Sequence, residues 1–217
     1  MLCQGLRHKS FRDSIGFDLD KYDDVSQHVM IEMGDVLVGT MRLRVLAPAA
    51  DLNATYTGSF YGIDPIGSHS LEIGRFCVAP TAPVAEVLRT AWAILTRLVD
   101  AKGVKFIFGC ASFEGTDPAR YADVFALLLS RHQGELPIKA KASETKRLAD
   151  VQAPQLDAVA ALKQIPALLR SYLALGGFVG DHVVIDRDLG TLHVFTGVEI
   201  ARIPPARARA LRRAAQI

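Results

Sequence analysis

The sequence lacks any long uninterrupted hydrophobic run. Half of its 217 residues are hydrophobic, but no apolar stretch approaches the roughly 20 residues that a membrane-spanning helix needs. Arg7, His8 and Lys9 near the start are not followed by the apolar segment of a secretion signal. We therefore expect a cytoplasmic protein, and the length is sufficient for one substantial hydrophobic core.

Cysteine is also scarce. Cys3, Cys77 and Cys110 are odd in number and lack the spacing of metal ligands, so reduced thiols in a cytoplasm explain them best. Neither Cys77 nor Cys110 has the adjacent histidine expected of an activated nucleophile. The sequence thus predicts neither a metal site nor thiol catalysis.

An excess of one charge is nearly absent. The formal net charge of +2 is too small to indicate a nucleic-acid partner. The charges are unevenly placed, however, and we expect an acidic cluster near the start and a basic cluster near the end to meet different partners. The acidic cluster is Asp18, Asp20, Asp23 and Asp24, and the basic one is Arg202, Arg207, Arg209, Arg212 and Arg213.

Hydrophobic spacing predicts strands in the first third of the chain. Residues 28–33 and 36–46 read as strands joined by a tight turn at Gly34-Asp35. Residues 6–15 are weakly helical in pattern, and the acidic residues 18–24 read as a solvated loop. Residues 47–67, rich in Asn, Thr, Gly, Pro and Ser, are expected to form a long exposed loop.

Strand and helix patterns then alternate. The spacing predicts a strand over 70–78, a helix over 84–101, a strand over 104–111 and a helix over 119–131. This alternation is typical of a mixed α/β sheet. One domain is expected to cover residues 1–217.

The last third carries weaker signals. Residues 139–160 are charged and rich in alanine, and they predict a mobile connection. A short helix over 165–175 and a hairpin of strands over 183–185 and 191–195 follow. A basic helix is expected within residues 198–217, beginning at two prolines.

Three short clusters carry the charged residues that chemistry would need. They are Asp20-Lys-Tyr-Asp23, Gly39-Thr-Met-Arg42 and Glu72-Ile-Gly-Arg75. Any one Glu-x-x-Arg on a strand is most simply a structural ion pair. The order Asp-x-x-Asp, Arg, Glu-x-x-Arg, however, resembles the signature of the N-acylhomoserine lactone synthases and of the ornithine lipid-forming N-acyltransferases, both in the GNAT-like superfamily.

The lipid-forming family is the more similar of the two. It resembles this chain also in Gly109-Cys-Ala-Ser-Phe113 with the following Gly-Thr-Asp117, and in residues 166–177 with Asp186. The lactone synthases lack this second half and usually carry a tryptophan in the first loop, where this chain has Phe17. The resemblance covers residues 6 to about 197 and implies one GNAT-like α/β domain with a mixed, bent sheet flanked by helices.

The resemblance implies transfer of a long, 3-hydroxylated acyl chain from an acyl carrier protein to the α-amine of an amino acid. Ornithine is the usual acceptor, with glutamine or another amino acid left open. An ammonium has no lone pair for attack on a thioester, so a base must take a proton. We expect Glu72 to be that base, directly or through an ordered water, with Arg75 as its catalytic partner.

By the same resemblance, an ion-pair network shapes the amine pocket. Its members are Asp20, Asp23, Arg42 and Arg75, and Arg7 and Phe11 are further candidates for substrate binding. Backbone N–H groups of a bulged strand near Gly74 are expected to stabilise the oxyanion. Such a bulge would also bring Glu72 and Arg75 to one face, which a regular strand does not allow. Gly74, Ser112 and Phe113 are predicted to line the acyl and pantetheine channel.

The donor is inferred from an absence. Acetyl-coenzyme A users of this superfamily cradle the pyrophosphate with a glycine-rich loop, whereas Ala79-Pro-Thr-Ala-Pro83 has no glycine. We therefore expect an acyl carrier protein thioester and no bound cofactor. A basic patch of Arg89, Arg97 and Lys102 is a candidate dock for the acidic carrier protein.

Other functions stay open. A homoserine lactone synthase would use S-adenosylmethionine, and a catalytically inactive relative would only bind carrier protein or membrane, although the presence of Glu72 argues against the latter. The basic C-terminal helix is either a solvated tail or a contact with anionic lipid at the inner face of the cytoplasmic membrane. In the second case Arg202, Arg209 and Arg213 would face the lipid.

Overall fold

One seven-stranded sheet organises the chain. The structure, a computed structural model, describes residues 1–12, 15–153 and 156–216. The helices are α1 (Leu2–Phe11), α2 (Tyr56–Phe60), α3 (Val84–Lys102), α4 (Ala122–His132), α5 (Ala158–Gln164), α6 (Ala167–Ala174) and α7 (Pro205–Ala215). The strands are β1 (Gln27–Met33), β2 (Val36–Leu46), β3 (Tyr61–Gly62), β4 (Ser70–Val78), β5 (Phe106–Glu114), β6 (Lys139–Ala140), β7 (Thr145–Arg147), β8 (Phe178–Asp186) and β9 (Thr191–Glu199).

The sheet is mixed, as the sequence predicts. Its strand order is β1-β2-β4-β5-β9-β8-β7. Strands β4 and β5 run parallel, and the other neighbouring pairs are antiparallel. Strands β3 and β6 form a small separate sheet. The β1–β2 hairpin turns at Gly34, whose φ of +61° is one that glycine adopts without strain.

Two apolar layers cover the sheet. On one face, Leu71 and Ile73 of β4 pack with Val87 and Leu95 of α3, and α4 to α6 continue this layer over β8 and β9. The opposite face packs Phe108 of β5 against the segment between β2 and β4. Strand alternation therefore sends the odd-numbered residues of early β4 to the helix layer and leaves Glu72 on the opposite face.

The segment over residues 47–67 corrects an expectation. Instead of an exposed loop it contains a 3-10 helix (Leu52–Ala54), α2 and β3. Leu52, Tyr61 and Ile63 are each 1% exposed and complete the core on this face. The apolar residues are spaced irregularly, so they give no periodic signal although they are buried.

Residues 139–160 also contain more structure than predicted. They include β6, β7, a 3-10 helix over 148–150 and the start of α5. Strand β7 pairs with β8 at the sheet edge, and Leu148 and Val151 are buried. Strands of two or three residues are too short to show periodicity. Pro154 and Gln155 lie outside the described residues.

Several element ends differ from the predicted ones. The first helix begins earlier than expected, at Leu2, and ends at Phe11; residues 13 and 14 of the predicted helix lie outside the described part. The basic C-terminal helix is confirmed as α7, whereas residues 198 and 199 belong to β9. Within the described residues, no helix is both long and apolar enough to cross a bilayer.

Strands β4 and β5 separate halfway along their length. Their pairing runs from Ser70 opposite Phe106 to Ile73 opposite Gly109 and ends there, although both strands continue. At the last pair, a Cβ on Gly109 would lie 2.2 Å from the carbonyl oxygen of Ile73. Glycine at this position thus permits the close approach from which the two strands diverge.

A β-bulge lies just past this point. Arg42 of β2 pairs with Gly74, but Thr40 pairs with Cys77, so β4 holds one extra residue. Arg75 in the bulge has a φ of +52°, which is uncommon for a residue with a side chain. The bulge predicted near Gly74 is confirmed.

We predict that Gly109→Ala destabilises the fold, because its methyl group must displace backbone. The expected loss is about 1–3 kcal/mol in the free energy of unfolding, measured by urea denaturation. Gly74→Ala is the matched control, since a Cβ there meets nothing within 4 Å. Equal stabilities for the two variants would contradict the close-approach constraint.

Candidate active site

A cleft of about 560 Å³ opens where β4 and β5 diverge. Residues 73–78 of β4 and 110–114 of β5 form its two walls. The end of α1, Pro166 with residues 167–169 of α6, and residues 189–191 complete it. Because each strand is paired on its other edge, the edges facing the cleft beyond Ile73 and Gly109 have lost their mutual ladder. The cleft therefore combines an apolar lining with unpaired backbone groups.

The bulge directs Arg75 into this site. Its guanidinium lies 4.4 Å from the ring centroid of Tyr56, and its Nε donates to Asp18 at 3.0 Å and its Nη2 to Asp20 at 3.2 Å. Both Arg75 and Tyr56 line the cleft. Burial raises the pKa of Tyr56 to about 12, so it remains a neutral phenol.

A buried ion-pair network supports Arg75. Arg7 of α1 is 0% exposed and donates from Nε to Asp18 at 2.8 Å and from Nη1 to Asp23 at 2.6 Å. Arg42 donates to Asp20 at 2.6 Å and to Asp23 at 3.2 Å. Residues 18–24 were expected to form a solvated loop, and this is wrong for Asp18 and Asp23, which are buried.

The network keeps the Asp23 carboxylate ionised. Burial alone would raise the pKa of Asp23, but the hydrogen bond from Arg7, a backbone N–H and the charges of Arg7 and Arg42 together lower it to about 2. Three arginines and three aspartates balance in charge. Arg42 Nη2 has no hydrogen-bond partner in the described part of the chain, and the Arg42 guanidinium lies 5.4 Å from the Tyr56 ring centroid.

Glu72 lies on the same face as this network. It is 5% exposed, and its Oε1 accepts a hydrogen bond of 2.6 Å from the backbone N–H of Thr57. Glu72 is not among the residues that line the cleft, but its neighbour Cys110 is. Burial chiefly, with the charge of Glu72 as a smaller cause, raises the pKa of the Cys110 thiol.

Comparisons with known proteins identify the family. A model described as an acetyltransferase (GNAT) domain matches residues 4–93. An L-ornithine N(alpha)-acyltransferase of Rhodobacter capsulatus is 30% identical over 212 residues, covering 88% of this chain and 82% of that protein. This chain belongs to the L-ornithine N(alpha)-acyltransferase family. It is therefore a GNAT-family N-acyltransferase.

Two further similarities accompany this assignment. An L-ornithine N(alpha)-acyltransferase of Rhizobium meliloti is 27% identical to this acyltransferase over 201 residues, covering 86% of this chain and 68% of that protein. Among solved structures, a CoA-dependent acyl-homoserine lactone synthase is similar with a TM-score of 0.49 at 14% identity, covering 96% of this chain and 81% of that one.

The structure brings together the predicted site residues of the acyltransferase in two groups. Arg7, Asp20, Asp23 and Arg42 form the network beside the cleft and are not among its lining residues. The residues that line the cleft itself are Phe11, Gly74, Arg75, Ser112 and Phe113. The side chain of Phe113 is largely committed to the core, where its ring lies 5.0 Å from that of Tyr121.

Sequence reasoning missed some residues of the site. Tyr56 and the Thr57 N–H lie in the segment expected to be an exposed loop, and His193 lies within the strand predicted over 191–195 without being recognised as a site residue. Asp18, two residues before the Asp-x-x-Asp motif, also belongs to the network. The aromatic cluster of Tyr56, Phe60 and Tyr61 was the available signal, because such residues are unusual in a solvated loop.

Two cysteine thiols, those of Cys77 and Cys110, also line the cleft. Burial raises the pKa of Cys77 to about 11, and both Cys77 and Cys110 therefore remain protonated at neutral pH. A thiol without a thiolate fraction is a poor nucleophile. Neither thiol is therefore a candidate to carry an acyl-enzyme intermediate.

We predict that the ionised Asp23 carboxylate contributes to the free energy of unfolding and that this contribution is lost at low pH. Its pKa is lower in the folded protein than the roughly 3.9 of an unfolded chain, so its stabilisation is complete above about pH 4 and is lost as pH falls through about 2. The free-energy difference between wild type and Asp23→Asn, from urea unfolding, should shrink over that interval.

Asp24→Asn is the control, because Asp24 is exposed. It should cost little stability at any of these pH values. A difference for Asp23→Asn that stays constant from pH 5 to pH 2 would show that its carboxylate is not stabilised by the arginines.

Proposed function

We propose that this acyltransferase moves a fatty acyl group, 3-hydroxylated as in the resemblance above, from an acyl carrier protein thioester to the α-amine of an amino acid. Ornithine is the first candidate acceptor, and glutamine or another amino acid is the alternative. The product would be a lyso-aminolipid. The observation that carries the proposal is the apolar cleft between β4 and β5, with Arg75 in its wall and Glu72 beside it, in a member of this family.

The proposed reaction begins with removal of a proton. Glu72 takes it from the α-ammonium, directly or through a water, and the freed lone pair attacks the thioester carbonyl carbon. A C–N bond forms, the C–S bond breaks and a thiol leaves. Backbone N–H groups on the edge of β4 beyond Ile73, which has no strand partner there, would stabilise the oxyanion.

The loop between β4 and α3 supports a carrier-protein donor. Two of its five residues, Pro80 and Pro83, have no N–H. The N–H of Ala79 already donates to Val38 and that of Ala82 to Ala79, so in the described structure only Thr81 keeps a free one within the loop. The pyrophosphate of coenzyme A would therefore find few hydrogen-bond donors within this loop. An acyl carrier protein carries no pyrophosphate and so does not need them.

Recognition of the amino acid is proposed to use the arginines. Arg75 in the cleft wall and the free Nη2 of Arg42 suit an α-carboxylate. Asp18 and Asp23 already form ion pairs with arginines, so we propose that they position those arginines and do not bind the substrate themselves. The Asp20 side chain keeps 22% exposure and is the carboxylate best placed to attract a second ammonium such as that of ornithine.

We predict that Glu72→Gln lowers turnover by about 100-fold or more, since the amide is nearly isosteric but accepts no proton. The measurement is mass spectrometry of lipids from a bacterial host that expresses the chain. Wild type should produce a new lyso-lipid whose headgroup fragment identifies the amino acid. Glu32→Gln is the matched control, because Glu32 is an exposed residue of β1. This variant should leave the amount of that lipid unchanged.

Three results would count against this proposal. Near-normal lipid from Glu72→Gln would remove Glu72 as the base. Secretion of acylhomoserine lactone with release of methylthioadenosine, and no new lipid, would indicate a lactone synthase. With purified protein, equally rapid use of the coenzyme A thioester would contradict the carrier-protein donor.

We also propose that α7 contacts anionic membrane at the inner face of the cytoplasmic membrane, where the product would be used. Leu211 packs towards α3 and Arg212 is paired with Asp100 at 2.9 Å, while Arg209 and Arg213 are exposed. Arg202 is less available, because it pairs with Glu199 at 3.2 Å.

We predict that reversing Arg209 and Arg213 to glutamate abolishes sedimentation with anionic vesicles, because each arginine contributes about 1 kcal/mol near such a surface. Reversal of Arg131 and Arg147, also exposed, changes the net charge equally and should retain more binding. Unchanged sedimentation of the α7 variant would remove the membrane proposal.

A further inference from the structure

An unpartnered imidazole nitrogen is buried at the cleft. His193 of β9 lines the cleft opposite Ser112 of β5, and the residue is 2% exposed. Its Nε2 has no hydrogen-bond partner among the described residues. A buried polar atom without a partner is costly, so a histidine retained only for packing would be expected to satisfy both nitrogens.

The other ring nitrogen determines the tautomer. Tyr61 has one O–H, and its Oη lies 2.8 Å from the carbonyl oxygen of His193, which can only accept. The same Oη lies 3.3 Å from Nδ1, so Nδ1 must carry the hydrogen and donate it to Tyr61. In this arrangement Nε2 holds the lone pair.

The surroundings keep His193 uncharged. Burial, and then the positive charge of Arg75, lower its pKa to about 4. The Phe60 ring packs edge-on against it at 4.7 Å between centroids. The cleft therefore holds a neutral imidazole that can accept a hydrogen bond, near Arg75 and Tyr56 of the same lining.

Amine acylation includes a second proton transfer, from the attacking amine to the leaving sulfur. An ammonium has three hydrogens and the amide product keeps one, so two protons must leave. One leaves before attack, when Glu72 takes it, and the second leaves as the C–N bond forms. The thiolate that departs when the C–S bond breaks needs one proton to become a thiol.

We infer that Nε2 of His193 accepts a hydrogen bond from the attacking amine, takes its second proton as the C–N bond forms, and passes that proton to the leaving sulfur. The inference rests on the proposed amine acylation. Neutral imidazole is restored at the end, so the cycle balances without another reactant. A weakly basic imidazole suits this role, because its protonated form is a strong acid towards the thiolate.

The test compares three substitutions in purified protein with a defined acyl carrier protein thioester and ornithine or glutamine. The side-chain amide of His193→Gln can reach the position of Nε2, whereas that of His193→Asn reaches only the position of Nδ1. His193→Phe keeps ring shape without either nitrogen. We expect kcat to fall by about 100-fold in all three variants, because neither an amide nor a phenyl ring accepts a proton, with thermal unfolding measured for each.

Leaving-group dependence separates proton transfer from packing. An aryl thioester expels a thiolate that needs no proton, so the deficit of each variant relative to wild type should shrink with an acyl S-phenyl donor. A purely structural role predicts the same deficit with both donors. If the Phe variant does not fold, the Gln and Asn variants make the same comparison.

The outcomes are distinguishable. If the wild-type protein is active, full activity of His193→Phe, or a deficit that is the same with both donors in every variant, would overturn the role of His193 and leave the proposed function intact. A wild-type protein that forms no N-acyl amino acid would overturn the proposed function and this inference together.

Discussion

The active site depends on the point where β4 and β5 stop pairing. Up to Ile73 and Gly109 the strands form an ordinary parallel ladder, and the glycine allows the backbones to approach closely there. Beyond it, the strands no longer pair with each other, and the cleft occupies the gap between them. Unpaired strand edges would be costly in an apolar interior, so the opening is most stable when a polar ligand fills it.

The bulge in β4 places the charged side chain of Arg75 at this opening. Without an extra residue in β4, Glu72 and Arg75 would point to opposite faces. With it, Arg75 reaches Tyr56, Asp18 and Asp20 on the face of Glu72. The uncommon backbone conformation of Arg75 is thus compensated by ion pairs, as expected where strain is retained at a functional position.

The arginine–aspartate network is better explained by positioning than by stability. Removing several charges from water costs about as much as their pairing returns, and an apolar cluster could fill the same volume. The network instead connects α1, the acidic loop, β2 and β4 and so fixes Arg75 beside the cleft. The charges of the network also balance, and lining groups such as Tyr56 and His193 are neutral. A single charge on a bound substrate would therefore interact strongly with its surroundings in this partly buried site.

The sequence by itself determined the strand and helix order of the central sheet, the bulge near Gly74, the family motifs and the glycine-free loop before α3. These depend on local periodicity, on backbone chemistry or on residue order, which a linear chain displays. Tertiary structure alone decided that residues 47–67 are a core segment, that Asp18 and Asp23 are buried, and that Glu72 is held by Thr57. It also decided that His193, far from Tyr61 in the chain, contacts it on one face of the sheet. Those features arise from contacts between distant segments, and burial and pairing across such distances leave no periodic trace in the sequence.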